Sequence, residues 1–129
     1  MGKRVFEIDG SKSSNLEEFA DHFTHQLHLE TNWRGNLDAF NDILHGGFGT
    51  PDGGFVLLWK NSAQSKENLG YAETINWLNE RVRNCHPTNV EVFRQRLVLA
   101  KRNEGETLFD MLVDIITSAD HTDIELRLV

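Results

Sequence analysis

The chain is poor in cysteine: Cys85 is the one thiol in 129 residues. That excludes an intrachain disulfide framework and fits a reducing compartment. No apolar run approaches the roughly 18 residues that a membrane span needs. Met1-Gly2-Lys3-Arg4 leads straight into Val5-Phe6 with no signal-peptide core, and Phe6 stands where a myristoylation signal carries Ser or Thr. A cytoplasmic protein is therefore expected. Internal repeats and low-complexity tracts are absent. The glycines of 46–54 precede an apolar strand, whereas a phosphate-binding loop follows a strand and opens a helix with Lys and Ser/Thr.

Positive charge is also scarce. Thirteen Lys and Arg face twenty Asp and Glu, a net charge of −7. The imbalance is uneven. Residues 15–42 hold six acids against Arg34 alone, residues 79–102 hold six bases against Glu80 and Glu91, and residues 103–129 hold seven acids against Arg127. An acidic first half repels phosphate and disfavours direct nucleic-acid binding there. It favours a basic protein partner. The basic stretch reads first as a solvated helix face, then as a partner for the acidic last segment, then as a separate binding surface.

The length suits one domain, 1–129, with a single core. Arg4–Asp9 reads as a strand closed by Gly10. Ser14 and Glu17 suggest a capping box, and Leu16, Phe19, Ala20, Phe23 and Leu27 run at helical spacing over 15–28. Phe55-Val56-Leu57-Leu58-Trp59 is continuously apolar, the mark of a strand buried on both faces of a parallel sheet. Helices are expected over 62–68, from Tyr71 to before His86-Pro87 and over 106–118, and a half-exposed strand over Ile124–Leu128; 90–101 reads as a helix from Val90, Phe93 and Leu97, with the alternation of Val90 and Val92 leaving a strand as the alternative.

The richest segment is Asn36-Leu37-Asp38-Ala39-Phe40-Asn41-Asp42-Ile43-Leu44, entered through Trp33-Arg34-Gly35. Leu37, Phe40 and Leu44 fall on one helical face, Asn36 is a good N-cap and Gly46-Gly47 a good C-cap. Asp38 and Asp42 stack on another face, about 5–6 Å apart at Cβ. Such a pair is ordinary helix-end charge, an offering to something positive, or a catalytic couple; the last needs an apolar pocket to part the two pKa values. His45 closes the helix, where the dipole favours it, and is placed to touch a partner. Trp33, in a polar loop, reads as an interface anchor. Trp59 and Trp77 read as packing residues. His22, His25 and His28 spread over too much of the helix for one metal, and the neighbours Cys85 and His86 do not make a nucleophile and its base.

The order strand, helix, short acidic helix, strand, helices, strand resembles the barstar family of intracellular ribonuclease inhibitors. Gly35-Asn36-Leu37-Asp38-Ala39-Phe40-Asn41-Asp42-Ile43-Leu44 is similar to that family's G-x-N-L-D-A-L-x-D-x-L. Phe6–Gly10 resembles its first strand and turn, Leu58-Trp59 with Gln64-Ser65-Lys66 its second strand and third helix, and Glu106–Leu128 its last helix and strand. The likeness covers about 4–70 and 104–129, with 71–103 as a helical insertion. It implies an α/β fold with a three-stranded, mostly parallel sheet packed by helices. It also implies a non-enzymatic protein without cofactor, acting as a monomer against a basic extracellular or toxin ribonuclease, as an immunity protein or antitoxin. By motif position Asp42 is the acid for the nuclease's phosphate site and Asp38 lies one turn before it. Asn36 and Leu37 begin the helix, Asn41 stands where barstar carries an aromatic residue, Trp33 lies near the pre-helix aromatics, and Asp114 supplies an acid from the last helix. A barstar-like module whose partner is not a nuclease is the alternative; a small hydrolase or metal protein is a third class.

Overall fold

Three parallel strands form the sheet, in the order β1-β2-β3, in a computed structural model that describes residues 3–129. Met1 and Gly2, on which part of the N-terminal reading rests, lie outside the described residues. The strands are β1 (Arg4–Asp9), β2 (Phe55–Lys60) and β3 (Ile124–Leu128). Six helices lie between them: α1 (Leu16–Gln26), α2 (Leu37–His45), α3 (Ser62–Asn68), α4 (Tyr71–Asn84), α5 (Val90–Lys101) and α6 (Leu108–Ile116). Parallel neighbours cannot be joined by a tight turn, so every connection is a helical crossover.

Register explains which face of the sheet is packed. Phe6 pairs with Leu57 and Leu57 with Leu126; Arg4 pairs with Phe55 and Phe55 with Ile124. Phe6, Ile8, Phe55, Leu57, Trp59 and Ile124 join the core with the buried faces of α1, α2 and α6. The opposite face of β2 is also largely covered, as the apolar run predicts: Val56 is buried. Val56 lies between Val5 and Glu125, and Leu58 between Glu7 and Arg127. Leu58 is half-buried, Val5 is exposed, and Glu7 pairs with Lys60 at 3.1 Å. The apolar run of β2 is thus fully buried on one face, while on the other Val56 is buried and Leu58 half-buried.

The N-terminus of α1 is shifted by one residue from the expected capping box. Asn15 is the N-cap, accepting the Glu18 N–H at 2.8 Å, while the Glu18 carboxylate takes the Ser14 N–H and hydroxyl at 2.8 and 2.7 Å. These bonds hold Glu18 below its ordinary carboxylate value, the Ser14 hydroxyl foremost.

Helices α4 and α5 form a hairpin that is stitched to the rest at its base. The Glu73 carboxylate accepts the Leu16 N–H at 2.7 Å. Buried Thr74 donates to the Gly70 carbonyl at 2.7 Å and accepts the Leu108 N–H at 2.9 Å, which ties α4 to the first residue of α6. Tyr71 donates to the Gly105 carbonyl at 2.8 Å. No helix among the described residues is long and apolar enough to cross a membrane.

Candidate functional site, an acidic helix and its cleft

The turn before α2 decides how that helix is presented. The Asn36 N–H donates to the Trp33 carbonyl at 2.8 Å, and the two residues between them, Arg34 and Gly35, have φ of 51° and 82°. Gly35 suits that left-handed backbone; Arg34 tolerates it with its N–H bound to Asn32 Oδ1 at 2.8 Å. Asn36 then caps α2, its Oδ1 accepting the Ala39 N–H at 3.1 Å. At the other end Gly46 is the C-cap, with φ of 111° and its N–H bound to the Ile43 carbonyl at 3.2 Å.

The inner face of α2 is fixed by Phe40, Ile43 and Leu44, all buried. The outer face carries Asp38 and Asp42, both exposed. The ion pairs among the described residues are Lys60–Glu7 and Arg127–Glu125, so neither aspartate has a cationic partner among them. Asn36 and His45 are also exposed and Leu37 is half-buried. Asp114 is exposed on α6 and shares one cleft with Asn36, Leu37 and Asp38. These four residues are brought together; Asp42 and His45 lie further along α2, outside the lining of that cleft.

Two residues depart from the roles expected of them. Trp33 is not a surface anchor: it is 2% exposed. Its ring centroid lies 4.4 Å from Phe40, 6.0 Å from Phe19 and 6.3 Å from Phe23. The turn folds its backbone outward and its indole inward, because a large apolar surface gains more from the aromatic core than from water. Its Nε1 is buried without a hydrogen-bond partner among the described residues. Asn41 is half-buried and its Oδ1 accepts the Nε2–H of buried His121 at 2.7 Å. Its side chain is engaged within the protein.

His121, in the turn before β3, carries no sequence signal that would mark it. It makes the bond to Asn41 and stacks edge-on against His45 at 4.6 Å. His45 Nδ1–H donates to the Asn41 carbonyl at 2.9 Å. Burial holds the His121 imidazole below its ordinary pKa, and the neighbouring His45 adds to that. His22 likewise titrates low through burial, and its Nε2 accepts the Asp9 N–H at 2.9 Å. Among the described residues no group of three or more His, Cys, Asp or Glu is placed to hold a metal.

The cleft beside Asp38 has a volume of about 430 Å³ and its far wall comes from the α4–α5 hairpin. Trp77 and Phe93 meet edge to face at 6.3 Å, with the guanidinium of Arg81 5.9 and 5.3 Å from their centres and that of Arg96 5.7 Å from both. Neither arginine pairs with the acidic last segment, which corrects one of the readings of the basic stretch. The sequence flagged the bases but not this convergence, because α4 and α5 reach the cleft through tertiary packing alone.

A comparison with curated proteins found no match. A protein-family model described as Barstar (barnase inhibitor) matches residues 3–99, from β1 through most of α5 and including all of α2. With three parallel strands, crossover helices and that match over most of its length, the chain belongs to the barstar family.

Proposed function

We propose that the protein inhibits a ribonuclease by placing α2 and its preceding turn in the enzyme's substrate cleft. The observation that carries this is the presentation of Asp38 and Asp42: exposed, one helical turn apart, without a cationic partner among the described residues, on a helix pinned by Phe40, Ile43 and Leu44. An enzyme that binds RNA gathers cations where phosphates sit. Two fixed carboxylates meet such a cluster without having to be ordered first. Asp42 is the residue for the phosphate site, and Asp38, Asn36, Leu37, His45 and Asp114 complete the contact surface. Trp33 supports it from beneath. Inhibition is by occlusion, so no bond is made or broken and no cofactor takes part. The protein acts in this reading as a cytoplasmic immunity protein or antitoxin, with 71–103 inserted into the smallest form of the fold.

The engagement of Asn41 with His121 gives one reason to keep a second reading. Where a family aromatic would contact the enzyme, this chain spends its side chain internally, which suits a partner other than barnase, or a partner that is not a nuclease.

Titrating the protein into barnase and a panel of basic microbial ribonucleases at low salt tests the proposal. The expected result is stoichiometric inhibition of at least one, with association slowed by added salt. Asp42→Ala is expected to weaken that complex by about 30-fold or more, since stranding one partner of a buried charge pair costs roughly 2–5 kcal/mol, a scale set by interfaces that include the barnase–barstar pair itself. Its folding stability stays within about 0.5 kcal/mol, because Asp42 is an exposed residue that caps nothing. Full activity of every enzyme in the panel would refute the inhibitor reading.

A further inference from the structure

A helix of nine residues is about 13 Å long and about 10 Å across, so α2 projects roughly 130 Å² outward. A stable complex buries roughly 800 Å² on each partner. A nuclease seated on α2 must therefore rest on neighbouring surface as well. The cleft lined by Asp38 and Asp114 continues directly from the helix, and its opposite wall is the α4–α5 hairpin.

That wall has an unusual electrostatic state. Arg81 and Arg96 lie within 6 Å of the same two aromatic rings, so two positive charges share one small apolar patch. Both side chains are half-buried; Asp38, Glu106 and Asp114 line the same cleft, yet no carboxylate among the described residues forms an ion pair with either arginine. Arg96 Nη2 reaches only the Met111 sulfur, at 3.3 Å, and Arg81 Nε is buried without a partner. Desolvated like charges held together gain when an anion joins them, and a guanidinium offers a planar fork that fits a carboxylate. The aromatic pair beneath them keeps each fork from swinging freely.

We infer that Arg81 and Arg96 form a carboxylate-reading arm of the nuclease interface, receiving an Asp or Glu that flanks the enzyme's basic cleft. This rests on the inhibitor reading of α2. The surface then presents negative charge on α2 and positive charge across the cleft. The matching enzyme must present the reverse pattern in the same order. Such bipolar matching fixes orientation and rejects enzymes whose rim is uniformly basic, because those would strand the arginine pair against like charge. The hairpin is thereby a selector among ribonucleases that a single acidic helix would not tell apart.

The test uses the full chain and the ribonuclease from the panel that it binds most tightly. Arg81→Gln combined with Arg96→Gln is expected to weaken binding at least 10-fold, chiefly through faster dissociation, while Asp42→Ala also slows association. The single Arg96→Gln variant, which leaves Arg81 over both rings, carries the same test should the double variant not fold. Replacing the enzyme's facing acid with lysine is expected to cost the wild type 10-fold or more and the double variant little. If Asp42→Ala weakens binding but the arginine variants bind within 2-fold of wild type, the arm is refuted and the inhibitor reading stands. If the wild type binds no ribonuclease, both are refuted together.

Discussion

Replacing Trp33 separates a buried support from a surface anchor. The indole is 2% exposed and touches three aromatic rings. Truncating a buried Trp to Ala costs about 3–5 kcal/mol through lost burial and the cavity left behind. The contacts with Phe40, Phe19 and Phe23 place this site in the upper half of that range, since each aromatic pair adds roughly 0.5–1.5 kcal/mol beyond area. At about 2.1 cal/mol/K per residue, a chain of 129 residues has an unfolding entropy near 0.27 kcal/mol/K, so a cost of about 4–5 kcal/mol means that Trp33→Ala lowers Tm by about 15–18 °C. Trp33→Phe is expected to cost far less. It keeps an aromatic ring against Phe40 and removes the buried Nε1–H that has no partner among the described residues, so no hydrogen bond within them is lost. Urea unfolding of the three proteins, with ribonuclease binding measured well below each transition, reads both quantities. If Trp33→Ala unfolds within 0.5 kcal/mol of wild type yet loses affinity, the core assignment fails and Trp33 is an anchor after all.

Thr74→Val removes the hydroxyl that accepts the Leu108 N–H and leaves that buried donor without a partner. It is expected to cost about 1–3 kcal/mol in urea unfolding, and a change under 0.5 kcal/mol would show that the bond joining α4 to α6 contributes nothing. The pH dependence has a definite sign. His121 and His22 both titrate low because burial disfavours their charged forms, so below about pH 6.5 the unfolded chain takes up protons that the folded protein refuses. Stability is therefore full above that value and falls as the pH drops beneath it. A second loss follows in stronger acid, where Asp9 is held down to about 2, first by the Asn61 side chain and then by Ser11. Tm measured from pH 8 to pH 3 should decline in both stages, with the first stage shallower in His121→Gln; a flat profile between pH 7 and pH 5 contradicts the burial of these imidazoles.

Elements governed by local rules were legible in the sequence. The Asn36 cap, the Gly46 stop and the apolar stripe of α2 are written within a dozen residues, and all three are present as read. So were Ser62–Asn68 and the helix over 90–101. Reading failed where the neighbour is distant in the chain. Trp33 sits among Asn32, Arg34 and Gly35, which look like solvent, yet the φ values of Arg34 and Gly35 turn the backbone so that the indole meets α1. His121 is an ordinary turn residue until the fold sets it against Asn41, 80 positions away. On the second face of β2 Val56 is buried as the apolar run implies, while Leu58, between Glu7 and Arg127, is only half-buried. The carboxylates of α2 were visible as a pattern; the arginines that share a cleft with Asp38 were not, since nothing local links residue 38 to residues 81 and 96.

The sheet order has a consequence for how the molecule comes into being. β2 pairs Phe55 with Arg4 on one side and with Ile124 on the other, so no strand pairing is local and each requires a long stretch of chain to close. The helical hairpin, by contrast, is assembled from adjacent residues. Chains of this kind wait on their distant pairings, and until those form the segment Phe55-Val56-Leu57-Leu58-Trp59 stands unprotected in water. On the proposed inhibitor reading, the time taken to bring the three strands together is as much a determinant of protection as the strength of the final grip.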